Sequence, residues 1–318
     1  MIRYVVVGVK RAFGFQVPGR RLAVLPDDIL LASYPKSGNT WTRFLIANLV
    51  FPDQTVDFGN LHQFVLDPAV TPQRDFRRAP RPRIVKTHGS FDPRYRRVIC
   101  VVRDPRDVAL SQYHYLRKLR KIDDKFPLDS FIDRFLAGQL KRELGSWGEN
   151  VGSWVAARHR HPGFLLLRYE DLLAETAREL TRVAHFGGFP ADPERVSQAV
   201  ERSSADRMRK SEKEQGERSM LIKDSRQDIP FVRSAKSGGW RSDLPESQVA
   251  RIEAAWGGIM ACLGYELVTR DPRSALQSSL IGLLASGSAL AAGAHREEVL
   301  AGPASTGTAS VTERTTIR

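Results

Sequence analysis

The first segment able to do chemistry is residues 35–41, PKSGNTW, which follows the apolar run 29–34 directly. A strand that turns straight into a helix directs several backbone N–H groups and a helix N-terminus at an incoming anion. Lys36 adds a full positive charge, and Gly38 lets the backbone approach a ligand closely. Short polar side chains that can bind phosphate oxygens complete the segment: Ser37, Asn39 and Thr40. The segment predicts a phosphate-binding loop; the alternative is an ordinary strand-to-helix turn with a surface lysine.

This loop does not fit the common nucleotide-binding pattern G-x-x-x-x-G-K-[ST]. Lys36 precedes the glycine, and no glycine lies five positions before Gly38. An ordinary ATP or GTP site is therefore disfavoured. A nucleotide-dependent kinase with a divergent loop is still an alternative, although no Asp closes an apolar strand to hold Mg²⁺ as such enzymes usually require.

A second candidate site lies in RDPRDVALSQY, where Arg103 ends an apolar run and Ser111 follows eight positions later in a helical pattern. Arginine supplies a forked, permanently charged donor and serine a hydroxyl, a combination that suits a terminal phosphate. The alternative is a structural ion pair between Arg103 and Asp104 or Asp107.

The third candidate is the KTH sequence of residues 86–88. The ordinary pKa of histidine, about 6.5, suits His88 to general-base work. Lys86 lies two residues earlier, on the same side of an extended strand, and can direct its charge to the same centre. The alternative to the general-base role is a structural role for this histidine.

Four apolar runs must position these residues, and each ends in polar side chains: 29–34, 83–88, 97–103 and 164–169. Helical patterns follow three of them, at 40–50, 105–119 and 175–186. This alternation predicts an α/β fold with a P-loop-like central parallel sheet flanked by helices on both faces. In such sheets ligands bind beyond the carboxyl ends of the strands, which is where the three candidate sites fall.

We predict a single domain over residues 27–270, preceded by an N-terminal extension, 1–26, and followed by a low-complexity, flexible tail, 271–318. Residues 51–82 and 120–154 lack clean strand patterns and are candidate walls of a second substrate's pocket. The densely charged stretch 208–230 is expected to be a mobile segment, either a lid or a solvated surface loop.

The composition restricts the class of protein. The chain has 318 residues, 42% of them hydrophobic, and 49 Lys and Arg against 36 Asp and Glu give a net charge of +13. Disorder throughout is excluded, and the charge predicts a negatively charged partner. A non-enzymatic nucleic-acid-binding protein is one alternative. It is disfavoured because only 8% of residues are aromatic and no recognised binding motif occurs.

The compartment and the metal content are also constrained. With only Cys100 and Cys262, a disulfide framework and a zinc site are not expected. The first residues lack the long apolar segment and cleavage site of a signal peptide, so the expected location is cytoplasmic. The uncharged run between Arg273 and Arg296 contains several glycines and serines, and we expect no membrane association of this tail.

Taken together, YPKSGNTW, KTH and R-x(7)-S resemble, in the same order, the motifs of sulfotransferases that use 3′-phosphoadenosine 5′-phosphosulfate (PAPS). The first resembles the family's 5′-phosphosulfate loop, with Asn39 where cytosolic members usually have Thr. The resemblance implies that Lys36 contacts the bridging oxygen and the leaving phosphate, and that Trp41 lies against the adenine. It assigns the 5′-phosphate to the loop residues Ser37, Gly38, Asn39 and Thr40.

The segment FVRSAKSGGW resembles the family's RKGxxGxW loop, which closes over the 3′-phosphate. The resemblance assigns Arg233, Ser234 and Ala235 to that loop, together with Arg103 and Ser111 of the second motif. Ser234 and Ala235 replace the usual Lys and Gly, and Lys236 is the candidate substitute for the missing charge. Two further correspondences, RYEDL and SSADRM, nominate Tyr169 and Ser203 for the adenine pocket, where Ala205 stands at a position that is commonly aromatic.

The implied activity is transfer of a sulfonate from PAPS to a hydroxyl, or less readily an amine, of a small-molecule, lipid or carbohydrate acceptor. The resemblance makes His88 the general base, with Lys36 and Lys86 as the catalytic cations and no metal. By analogy with phosphoryl transfer, a loose in-line transition state would depend mainly on positioning and charge. The sequence specifies neither the acceptor nor the oligomeric state.

Overall fold

The computed structural model of the chain describes residues 23–215, 224–232 and 235–269. Four parallel strands form one sheet in the order β2-β1-β3-β4. Their bounds are Ile29–Ser33 (β1), Ile84–Thr87 (β2), Arg97–Val102 (β3) and Phe164–Arg168 (β4). All four strands were predicted, and the α/β class is confirmed. Tyr34, His88 and Arg103 lie just past the ends of their strands, at one edge of the sheet.

Helices cover both faces of the sheet. They are Asn39–Val50 (α1), Leu61–Phe64 (α2), Gln73–Arg78 (α3), Pro105–Lys118 (α4), Leu128–Leu136 (α5), Trp147–Arg158 (α6), Tyr169–Ala174 (α7), Thr176–Gly187 (α8), Pro193–Arg202 (α9), Ala205–Gln215 (α10), Trp240–Asp243 (α11) and Glu246–Cys262 (α12), with a 3₁₀ turn at Arg142–Leu144. The three helices expected after strands correspond to α1, α4 and α8, and their ends shift by a residue or so.

The central strand β1 separates two hydrophobic cores. Leu30 and Ala32 pack in one core with residues of α4, α5, α6 and α12, whereas Ile29 and Leu31 pack in the other with residues of α1, α8 and α9. All five residues of β1 are buried, as expected for a parallel strand covered on both faces. Each large apolar side chain buried in this way contributes about 1.5–3 kcal/mol. This burial fixes the loop that leaves β1.

The segments without clear strand patterns are mostly helical. Residues 51–82 form α2 and α3 and add a bridge between Leu66 and Val85 at the edge of β2. Residues 120–154 contribute α5 and the start of α6. Part of the stretch 208–230, expected to be a mobile lid or loop, differs from that expectation: residues 208–215 belong to α10, where Met208 and Glu212 are buried.

Two parts of the predicted organisation lie outside the described residues. These are residues 1–22 of the N-terminal extension and the tail 271–318. Within the described ranges, no helix combines the length and the apolar character needed to cross a membrane.

Candidate active site

The loop between β1 and α1 is shaped by two residues with left-handed backbone angles. The φ values of Lys36 and Gly38 are +71° and +98°. A β-carbon on Gly38 would lie 2.5 Å from the Tyr169 ring, so both the backbone angle and the close approach require glycine there. No side chain caps α1, which leaves its first amides directed at the loop. The Ser37 hydroxyl is buried beneath them and has no hydrogen-bond partner among the described residues.

Lys36 extends its ammonium between two aromatic rings. Its Nζ atom lies 4.2 Å from the ring centre of Tyr115 on α4 and 4.4 Å from that of Phe231. Aromatic faces attract a cation without neutralising it. The two rings therefore help to fix the position of the ammonium at the phosphate loop.

A buried ion pair holds Phe231 in this position. The Lys118 ammonium lies 3.3 Å from a Glu212 carboxylate oxygen and donates to the carbonyls of Arg226 and Ile229 at 2.8 and 2.7 Å. Glu212 in turn accepts from the backbone N–H groups of Phe231 and Val232 at 2.6 and 3.2 Å. The pair thereby joins α4 and α10 to the segment 224–232.

Arg103, at the end of β3, is fixed by several groups at once. It donates to the carbonyls of Lys36 and Lys236 at 3.4 and 3.0 Å, and its guanidinium lies 4.3 Å from the centre of the Tyr169 ring. Asp107 lies 3.6 Å away, so the structural ion pair considered as an alternative is present beside the other contacts. The Nε atom of Arg103 is buried and has no partner within the described part of the chain.

Asp107 also organises the segment after residue 235. Its carboxylate accepts the backbone N–H groups of Gly238 at 2.8 Å and Trp240 at 3.1 Å. Asp104, by contrast, pairs with Arg106 at 2.6 Å and does not bind Arg103. One carboxylate thus orients both Arg103 and residues 238–240 of the glycine-rich segment.

The residues nominated for the adenine pocket meet at the far side of the loop. The Trp41 and Tyr169 rings form an edge-to-face pair with centres 5.8 Å apart, and the Trp41 indole N–H donates to the Ser203 carbonyl at 3.0 Å. Ser203 is fully buried, and its hydroxyl accepts from the Asn48 amide at 3.0 Å. Ser203 therefore positions Trp41 mainly through its backbone.

His88 is held in one tautomer. Its Nδ1 atom lies 2.7 Å from the Ser33 carbonyl, which can only accept, so Nδ1 carries the proton and Nε2 carries a lone pair. The Asn150 amide donates to the His88 carbonyl at 3.0 Å and anchors the strand end. Burial and the charge of Lys86 lower the pKa of His88 to about 3. At neutral pH the imidazole is uncharged and can accept a proton at Nε2.

Lys86 has a partner that the sequence did not suggest. Its ammonium donates to Asp67 at 2.7 Å, and Arg43 lies 3.8 Å from the same carboxylate oxygen. Burial would raise the pKa of Asp67, but the charges of Lys86 and Arg43 outweigh it and hold the pKa at about 2. Burial lowers the pKa of Lys86, and Asp67 partly offsets that effect. Asp67 thus keeps a buried lysine charged beside His88.

A single cavity of about 390 Å³ brings most of the predicted site residues together. Its lining includes Lys36, Gly38, Asn39, Thr40, Trp41, Lys86, His88, Arg103, Ser111, Tyr169, Ser203 and Ala235. Ser37 lies buried beneath the loop and does not line the cavity. Lys141, which sequence reasoning missed, also lines it, whereas no Asp or Glu of the described ranges does so. The cavity is therefore lined by basic groups and suits a ligand with several negative charges.

The glycine-rich segment FVRSAKSGGW is only partly described. Arg233 and Ser234 lie outside the described residues. Ala235 adopts a left-handed backbone with φ of +51° and lines the cavity. Lys236 reaches Arg103 through its carbonyl, and its side chain is exposed. Among the residues that the structure describes, no group of three or more His, Cys, Asp or Glu side chains could hold a metal ion.

Comparison with known proteins adds independent evidence. The family model described as "Sulfotransferase domain" matches residues 26–264. Sulfotransferase 1A1 of Bos taurus is 29% identical over 258 residues, which cover 74% of this chain and 84% of the relative. Sulfotransferase 1E1 of Cavia porcellus is 27% identical over 235 residues, covering 68% of this chain and 77% of the relative.

Two solved structures show the same fold. A retinol dehydratase in complex with retinol and PAP matches with a TM-score of 0.61 and 22% identity, covering 74% of this chain and 82% of the other. Mouse sulfotransferase SULT7A1 complexed with PAP matches with a TM-score of 0.61 and 21% identity, covering 74% and 84%.

Proposed function

The chain belongs to the sulfotransferase domain family and is a sulfotransferase of the PAPS-dependent class, and from this premise we propose its reaction and its site residues. The proposed reaction moves the sulfonate group of PAPS to a hydroxyl, or less readily an amine, of a small-molecule, lipid or carbohydrate acceptor. His88 is the proposed general base, and Lys36 and Lys86 are the proposed catalytic cations. The cytoplasmic location stays a prediction from the sequence.

The observation that carries this proposal is the shared cavity of the phosphate loop and His88. The Ser33 carbonyl fixes the proton on Nδ1, so the basic Nε2 atom is the one left for an acceptor. Such a base close to a phosphate-binding loop suits proton removal coupled to transfer of an anionic group.

The donor-binding part of the site fits PAPS. The buried Arg103 Nε atom lacks a partner among the described residues, as expected of a group that a phosphate would satisfy. The α1 amides, with Ser37, Gly38, Asn39 and Thr40, would hold the 5′-phosphate. Arg103, Ser111 and Ala235 would hold the 3′-phosphate, and Trp41, Tyr169 and Ser203 would surround the adenine. Arg233 and Ser234 stay predicted members of the 3′-phosphate site.

During transfer, His88 Nε2 takes the proton of the acceptor hydroxyl while the acceptor oxygen forms a bond to sulfur. The bond between sulfur and the bridging oxygen breaks, and adenosine 3′,5′-bisphosphate (PAP) leaves. Lys36 balances the charge that develops on the leaving phosphate, and Lys86 balances charge on the sulfonate oxygens. Bound PAPS supplies the activated sulfonate, so no metal is needed in this scheme.

Relatives support the donor and the acceptor class. The structural neighbours include retinol dehydratase in complex with retinol and PAP, and in complex with androsterone and PAP, which supports a PAP-type donor and a small-molecule acceptor here. The kinase and nucleic-acid alternatives receive no comparable support.

The test is a PAPS-dependent acceptor screen with the purified chain. We expect PAP to form with at least one member of a panel of phenols, alcohols and amines, and labelled sulfonate to appear on that acceptor. ATP with Mg²⁺ serves as the control donor and should give no transfer. Phosphoryl transfer from ATP, with indifference to PAPS, would overturn the proposal in favour of a kinase.

A further inference from the structure

The cations that line the cavity differ in the groups that contact them. Lys86 pairs with Asp67, Arg103 with Asp107 and two carbonyls, and Lys36 contacts two aromatic rings. Lys141 lines the same cavity, but its ammonium has no ion pair or hydrogen bond with any residue of the described ranges. It is exposed at the cavity wall and is available to a ligand.

The position of Lys141 associates it with the reacting centre. The residue lies in the loop between α5 and α6, just before the 3₁₀ turn that ends at Leu144. Asn150 donates to the Leu144 carbonyl at 3.3 Å and to the His88 carbonyl at 3.0 Å, so one amide joins this loop to the end of β2. The charge of Lys141 also lowers the pKa values of His88 and Lys86. Lys141 therefore lines the cavity close to His88 and Lys86, where the proposed function requires the acceptor.

The donor does not account for this fourth cation. In the proposed function the α1 amides and Lys36 hold the phosphosulfate, Lys86 faces the sulfonate and Arg103 holds the 3′-phosphate. Burial and the charge of Lys121 lower the pKa of Lys141, and the carboxylates of Glu143 and Asp67 offset this only in part, so an anion bound at the ammonium would stabilise its charge. Among the residues that the structure describes, no carboxylate lines the cavity itself.

We propose that the acceptor carries, besides its hydroxyl, an anionic group such as a carboxylate, sulfonate or phosphate that binds Lys141. This inference rests on the proposed function, because it assumes that the acceptor hydroxyl approaches His88. The ammonium then orients the acceptor by a charge-assisted hydrogen bond at one end while His88 receives the proton at the other. Hydroxylated acceptors without the anionic group bind more weakly.

The test compares matched acceptors that differ in charge. The probes are 4-hydroxyphenylacetate with its methyl ester, 6-hydroxyhexanoate with its methyl ester, and 4-hydroxybenzenesulfonate to separate a sulfonate from a carboxylate. Each is measured by PAP formation, as kcat/KM, and by calorimetric binding to the PAP-loaded protein. The variants are Lys141→Met and, as the matched control, Lys125→Met, which removes an exposed lysine outside the cavity lining.

We expect the wild type and Lys125→Met to prefer at least one anionic probe over its neutral counterpart by about tenfold, the size of one partly exposed charged contact. Lys141→Met should reduce this preference to about twofold or less. The inference is overturned if no anionic probe shows a preference or binding that depends on Lys141. It is also overturned if Lys141→Met impairs charged and neutral probes equally, since Lys141 would then serve the donor.

These outcomes separate the inference from the proposed function. Conversion of neutral probes with no effect of Lys141 would leave the sulfotransferase reaction standing and remove the anion site. Binding of an anionic probe that depends on Lys141, without turnover of any probe by PAPS, would leave the anion site standing and count against the proposed reaction.

Discussion

The two ends of the cavity hold their charges by different means. At the donor end, Arg103 and Lys36 are fixed by carbonyls, ring faces and a carboxylate that also binds backbone amides. At the reacting end, Lys86 is paired with Asp67, a side chain from a distant loop. The Lys141 ammonium makes no ion pair or hydrogen bond with the residues that the structure describes. At the donor end several carbonyls and ring faces from different segments hold each cation, whereas at the reacting end Lys86 depends on a single carboxylate.

The largest effect is expected from removing His88, and it tests whether the reacting end can be disabled without weakening donor binding. Replacing His88 by Ala should lower kcat by about 10³, within the range for loss of a general base, and leave PAP affinity nearly unchanged. The matched control is His185→Ala, an exposed histidine at the end of α8, which should retain full transfer. Transfer by His88→Ala at the wild-type rate would show that another group is the base.

A paired substitution of two carboxylates sharpens the comparison. Asp67→Asn leaves Lys86 and Arg43 without their shared counter-charge, and we expect a loss of about 3 kcal/mol of unfolding free energy together with a lower kcat. Asp107→Asn perturbs Arg103 and should mainly raise the KM for PAPS, by about tenfold. Urea unfolding and steady-state kinetics measure both. If the two variants changed kcat and KM alike, the two ends would not be distinct.

The remaining expected effect is a dependence on pH. The folded pKa of His88, about 3, lies below its ordinary value of 6.5, so the unfolded chain binds the proton more tightly. Stability should fall as pH decreases from 6.5 toward 3, by at most about 1.4 kcal/mol per unit, and His88→Ala should flatten this slope. Asp67 contributes in the same direction only below its ordinary pKa of 3.8.

The same shift affects the rate. In the wild type, kcat/KM for transfer should show no decline near pH 6.5, because His88 stays neutral well below that value. A pH–rate profile with an acid limb centred on 6.5 would contradict the depressed pKa of His88 in the free enzyme.

The sequence predicted what depends on neighbours in the chain. The four strands, and the loop built from Lys36 and Gly38, follow from apolar runs and a short polar motif, and the structure has them where expected. Asp67 was missed because its role depends on Lys86, which lies 19 positions away and meets it only through the pairing of Leu66 with Val85.

Two other differences have similar causes. Lys141 lies in a stretch without a motif, and only the contacts of Asn150 show that its loop is joined to His88. The stretch after Met208 is rich in charge and resembles a solvated loop, yet Glu212 is buried because it pairs with Lys118 across the fold. Charge along the chain does not reveal which charges find partners.

That buried pair also limits how this enzyme can diverge. Lys118 and Glu212 together satisfy two carbonyls and two amides of the segment 224–232. Neither can be replaced alone without stranding a buried charge, and an apolar pair would strand the four backbone groups. Substitutions of Lys118 or Glu212 are therefore expected to occur together with changes in the segment 224–232, which carries Phe231. Because the Phe231 ring contacts Lys36, substitutions in the Lys118–Glu212 pair are also expected to affect the position of this phosphate-loop lysine.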